Sequence, residues 1–191
     1  HTFVYLGATA GMRMLKLSDS EASTKIFNAI QTRFVESGLQ PRRISIITGK
    51  EEGLFAWVAV NYLSGRFFDP TKLGVKRTAN RTYGVLDMGG ASAQIAHQID
   101  HTQQHSDDDD LMHIRLYGTN YTIHTYSNFC FGTEQAFKRY LKLVIDKHIK
   151  TNNNSQSIDA PCLPKGARLP GPELNNVCIM SKNGSSSNSS K

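Results

Sequence analysis

The sequence predicts an α/β fold. Strand-like apolar runs at 2–7, 43–48 and 83–88 alternate with helical patterns at about 18–37 and 52–64. A second alternating run at 93–99 follows two glycines, so 83–99 reads as a hairpin. Strands at about 112–117 and 120–126 and a helix at 133–149 complete the ordered part.

The elements justify themselves in order. Phe3 to Leu6 form an apolar strand that runs into the small residues Gly7, Ala8, Thr9, Ala10 and Gly11, read as a tight turn, with Arg13 just beyond. Ser18 with Glu21 is a capping-box signal; Ala22, Ile26, Ile30 and Phe34 recur every four residues, and Gly38 stops that helix. A β-branched run ends at Gly49. Glu51 and Glu52 open the next helix, where the macrodipole favours acids, and Gly65 ends it. Apolar residues cover most of its circumference, so it is expected to be buried, with Phe55 and Trp57 in the core. Residues 66–82 and 100–110 read as loops, Tyr83 to Leu86 as a buried strand, and 150–191 as loop and disordered tail rich in Asn, Ser, Pro and Gly.

Composition narrows the function. A hydrophobic content of 39% supports a core, and no apolar run is long enough to span a bilayer. The net charge of +6 arises from scattered Lys and Arg, with Lys138, Arg139, Lys142, Lys147 and Lys150 on one solvated helix face, so no nucleic-acid partner is expected. The three cysteines lack a Cys-x-x-Cys pair, which argues against zinc. His101, His105, Asp107 to Asp110 and His113 read as a solvated loop, since four adjacent aspartates repel one another. No Gly-x-Ser-x-Gly nucleophile motif is present. Sequons stand at Asn80, Asn120, Asn153, Asn183 and Asn188; the last two lie in the biased tail, so Asn80, Asn120 and Asn153 carry more weight as glycosylation candidates.

The most informative stretch is Asp87-Met88-Gly89-Gly90-Ala91-Ser92-Ala93-Gln94. Adjacent glycines bring backbone N–H groups close to an anion, and a neighbouring carboxylate suits a hard divalent cation or its water. Thr9 can donate to a phosphate oxygen and Arg13 can pair with an anion or sit in a structural ion pair. Glu52, at a strand-to-helix corner, can act as a general base on water.

ATAGMR at 8–13, GKEEGLFAWVAVNYLSG at 49–65, LDMGGASAQI at 86–95, and the Tyr117-Gly118 to Phe129-Cys130-Phe131-Gly132 stretch follow one another at a spacing that resembles the nucleoside triphosphate diphosphohydrolases, the ecto-apyrases. The resemblance is strong to about Ile149. It implies an actin-like or sugar-kinase-like fold of two lobes closing on a Ca²⁺- or Mg²⁺-nucleotide. Residues 1–48 would end lobe I, 49–150 form the lobe II core, and 151–191 its loop-rich remainder. It implies Glu52 as catalytic base, with Ser92 and Gln94 beside the attacking water, and Asp87 holding the metal through water. Gly89, Gly90, Ala91 and Ser92 would cradle phosphate, with Thr9 and Arg13 nearby. Thr133 stands where relatives often carry a basic residue near the nucleotide. Cys130 would pair with Cys178, leaving Cys162 single. The substrate would be a nucleoside tri- or diphosphate, at the outer face of the plasma membrane or in a secreted or lumenal setting.

The family's first and fifth conserved regions are not found in these residues. The chain therefore reads as an interior piece whose parent is membrane-anchored through other segments and which by itself does not turn over nucleotide. No residue pattern specifies an oligomeric state. An exopolyphosphatase-like hydrolase and a non-catalytic phosphate-binding surface glycoprotein are the alternative readings.

Overall fold

A computed structural model describes residues 2–67, 82–99, 108–151, 157–168, 177–180 and 186–188. Asn80, Asn153, Asn183, His101, His105 and Asp107 lie outside the described residues.

Two sheets organise the chain. Strand β1 (Thr2–Ala8) pairs in parallel with β2 (Leu39–Ile46). Parallel neighbours need a long crossover. Here it is two helices, α1 (Ala10–Ser18) and α2 (Ser20–Glu36). The small residues 7–11, read from sequence as a tight turn, instead run into a helix that begins at Ala10. The cap of α2 is Asp19, whose carboxylate accepts from Ala22 N at 2.8 Å, rather than Ser18. The acid accepts that bond more strongly than a hydroxyl would, and Ser18 instead donates to carbonyls of α1. Of the four-residue stripe on α2, Ile26 is exposed.

The second sheet is antiparallel in the order β3–β4–β6–β5, with β3 at Val85–Met88, β4 at Ser92–Gln98, β5 at Leu111–Leu116 and β6 at Thr119–Phe129. Helix α3 (Gly49–Leu63) lies across β4 and β6, and α4 (Thr133–Lys150) follows the sheet. A further short pair joins β7 (Cys178–Met180) to β8 (Ser186–Asn188).

Trp57 is fully buried and meets Phe67 and Tyr121 edge-on, with centroids 5.6 and 5.5 Å away. Leu54, Ala96 and Ile123 close this core. Phe55 does not join it; it is 48% exposed, as α3 presents only one face to the sheet. The strand at 83–88 is also not buried on both sides. Tyr83, Leu86 and Met88 face outward, while Val85 and Asp87 face α3's side. The Cys130–Cys178 disulfide closes a 48-residue separation, and Cys162 is exposed and free. Asn120 is exposed on β6. Among the described residues no helix is long and apolar enough to cross a membrane.

Candidate active site

The site forms where α1, α3 and the β3–β4 turn meet. Helix α3 begins with a full capping box. Thr48 Oγ1 accepts from Glu51 N, and the Glu51 carboxylate accepts from Thr48 N at 2.8 Å. That box fixes the first turn and so fixes where Glu52 leaves the helix. Acceptance of the Thr48 backbone N–H, with Arg43 adding a lesser pull, holds the Glu51 carboxyl below its ordinary value.

Two glycines let this first turn approach β6. A β-carbon on Gly49 would overlap the Ser127 side chain, and one on Gly53 would overlap Thr125 Oγ1. Thr125 Oγ1 donates to the Lys50 carbonyl at 3.2 Å. Glycine at 49 and 53 is therefore a matter of distance between helix and sheet.

Glu52 is then met by two side chains from elsewhere. Arg13 Nη2 lies 2.8 Å from Glu52 Oε2 and 3.0 Å from Ser92 Oγ, while Nη1 donates to the Ile47 carbonyl at 2.8 Å. Gln94 Nε2 lies 3.2 Å from Glu52 Oε2, 2.6 Å from Ser92 Oγ and 3.1 Å from Ser127 Oγ. Gln94 and Ser92 are buried, and Gln94 Oε1 takes no donor among the described residues. The guanidinium expected near phosphate is thus engaged by a carboxylate, which is the ion-pair alternative of the two readings of Arg13.

The glycine turn is shaped from behind by α4. The N–H groups of Thr133 and Glu134 donate to the carbonyls of Gly89 and Gly90 at 2.9 and 3.0 Å, and Gln135 N adds a second bond to Gly90 O. A carbonyl and the N–H that follows it point in opposite directions across a trans peptide plane. Tying down the Gly89 and Gly90 carbonyls therefore turns the N–H groups of Gly90 and Ala91 away from α4. Among the described residues these two N–H groups meet no backbone acceptor. Gly132 makes this packing possible, because a β-carbon there would overlap Ala91 N and the Gly90 carbonyl carbon.

A cavity of about 180 Å³ opens in front of this cup, lined by Thr9, Ala10, Gly11, Glu52, Gly89 to Ser92 and Glu134. The Thr9 side chain makes no capping bond to α1, and the residue lines this cavity. Arg13 and Gln94 stand behind Glu52 and Ser92 rather than on the cavity wall. Glu134 was not singled out from sequence. Its place depends on α4 docking against the turn, and an acid in the first turn of a helix otherwise reads as a dipole partner.

Asp87 pairs across the sheet with Gln94, so both point to the same face. The described residues contain no cluster of three or more His, Cys, Asp or Glu that could enclose a cation. Asp87, a single carboxylate on that face, fits an ion held by one carboxylate, water and substrate phosphates.

Known proteins share this arrangement of sequence. The model of the GDA1/CD39 (nucleoside phosphatase) family matches residues 1–186. The chain is 33% identical to mouse ectonucleoside triphosphate diphosphohydrolase 3 over 195 residues, covering all of this chain and 36% of that protein. It is 40% identical to cattle ectonucleoside triphosphate diphosphohydrolase 1 over 148 residues, 74% of this chain and 28% of that one. A crystal structure of nucleoside triphosphate hydrolases from Neospora caninum is similar, with a TM-score of 0.50 and 25% identity over 74% of this chain and 27% of its own. The chain thus spans about a third of the length of the curated relatives it matches. A match that runs through all but the last five residues leaves one conclusion: the chain belongs to the GDA1/CD39 (nucleoside phosphatase) family.

Proposed function

We propose that the protein carrying this chain hydrolyses the terminal phosphoanhydride bond of nucleoside tri- and diphosphates. The carrying observation is that Glu52 and Ser92 share Arg13 Nη2 and Gln94 Nε2 as neighbours and both open onto the cavity beside the Gly90 and Ala91 N–H groups. Phosphoryl transfer asks mainly for positioning and charge neutralisation, and these residues supply both.

The terminal phosphate oxygens sit on the Gly90 and Ala91 amides, with Thr9 Oγ1 donating a further bond. Glu52 Oε2 is taken by Arg13 and Gln94, so Oε1 is the atom left to receive a proton from water. Ser92 Oγ orients that water, and Gln94 holds Ser92 and Glu52 in place from behind. Its oxygen forms a bond to the terminal phosphorus as the bridging P–O bond breaks. Inorganic phosphate and the shortened nucleotide leave, and the proton passes from Glu52 to solvent. Asp87 would hold a divalent cation, Ca²⁺ or Mg²⁺, through water, and that ion would supply charge neutralisation for the phosphates. The lobe division near Gly49 then places Thr9 and Arg13 on one side of the cleft and the glycine turn on the other. The disulfide and the exposed Asn120 sequon favour an extracellular or lumenal setting.

The test is phosphate release from ATP and ADP by the full-length protein with Ca²⁺ or Mg²⁺. Glu52→Ala is expected to lose on the order of a hundredfold or more, as for removal of a general base. Unchanged release in that variant overturns the reading.

A further inference from the structure

Gln94 is completely buried, and its amide nitrogen has two protons but three oxygen neighbours. Two of them, Glu52 Oε2 and Ser92 Oγ, also share Arg13 Nη2. The third is Ser127 Oγ, which belongs to the residue directly opposite Gln94 on β6. Three oxygens therefore compete for two protons, and Ser127 is the one contributed by β6.

We propose that Ser127 is a positioning residue for the hydrolysis, holding the Gln94 carboxamide so that its nitrogen stays on the Glu52 carboxylate. The proposal rests on the function proposed above. Ser127 does not line the cavity; it meets Gln94 Nε2 and packs against Gly49 at the start of α3. Its place is protected on the other side by Gly49, where any β-carbon would overlap the Ser127 side chain. Loss of the hydroxyl removes the acceptor that holds the buried amide from the β6 side. The amide is then free to turn about its last torsion, and its bonds to Glu52 and Ser92 lengthen, while Arg13 Nη2 remains their other shared donor.

The experiment measures kcat and KM for ATP hydrolysis in the full-length protein, as wild type, Ser127→Ala, Gln94→Ala, the double variant and Glu52→Ala. Ser127→Ala is expected to lower kcat roughly tenfold, the scale of a small misplacement of reacting groups. KM should stay within about twofold, because ground-state binding is untouched. In the Gln94→Ala background the same change should cost nothing further, as two residues acting through one contact are non-additive. Ser127→Cys, which keeps the size but offers a weak acceptor, should fall between, and it serves if the alanine variant fails to fold. Wild-type kcat in Ser127→Ala or Ser127→Cys, or losses that multiply independently with Gln94→Ala, overturn the role of Ser127. Retained activity in Glu52→Ala overturns the underlying function instead, so the two failures are distinguishable.

Discussion

Arg13 and Glu52 form an ion pair 2.8 Å long that joins α1 to the first turn of α3, with both side chains less than one-fifth exposed. The same guanidinium is anchored at its other nitrogen by the Ile47 carbonyl. Arg13 therefore fixes the direction of the Glu52 carboxylate as well as its charge environment. Arg13→Met keeps much of the volume but leaves Glu52 partly buried without a cation. It is expected to destabilise the fold by about 2 kcal/mol, since a charged group is left without its partner. A urea titration followed by circular dichroism measures this; an unmoved midpoint would mean that water satisfies Glu52 equally well. Phosphate release should fall more steeply than stability, because the carboxylate also loses its orientation.

Gly132 supports the glycine turn through an absence of side chain. Gly132→Ala would push against Ala91 N and the Gly90 carbonyl carbon, both backbone atoms with no rotamer to yield. Overpacking of this kind costs about 1–3 kcal/mol. The bonds from Thr133, Glu134 and Gln135 to the turn would lengthen together. The expected result is weaker protection of the Glu134 and Gln135 amides in hydrogen exchange, along with a higher KM for nucleotide. Unchanged exchange at those amides would show that the turn and α4 move as one piece.

The capping box of α3 carries a pH signature. Glu51 accepts the Thr48 N–H, and this bond depresses its carboxyl from the ordinary value of 4.5. A depressed carboxyl binds protons more weakly in the folded than in the unfolded chain. Its stabilisation is complete above pH 4.5 and disappears as pH falls through the lower folded value. Glu51→Gln should therefore flatten the dependence of melting temperature on pH in the window just below pH 4.5. Thr48→Ala should cost about 1 kcal/mol at neutral pH by removing the cap. An identical acid slope in wild type and Glu51→Gln would assign the box no electrostatic part.

The strands and α2, α3 and α4 were legible because each has a dominant period or a stop residue, such as Gly38 and Gly65 at positive φ. Helix α1 was not, because its start at Ala10 and Gly11 continues a run of small residues that carries no side-chain pattern. The outward Leu86 and Met88 were read as buried because a short apolar run does not reveal how many of its faces are covered. Glu52, Ser92 and the glycine turn stood out through residue type and order. Gln94's contact with Ser127 and Glu134's place on the cavity depend on register and on helix docking, neither of which leaves a local signature.

The missing β-carbons at Gly49 and Gly53 act as a depth gauge, since the reach of Glu52 into the cleft is calibrated by how closely α3 rests on the hydroxyls of Thr125 and Ser127. Evolutionary drift at this seam must then be reciprocal. An added methyl on the helix demands a smaller partner on the strand, so positions 49 with 127 and 53 with 125 should vary as matched couples or hardly at all.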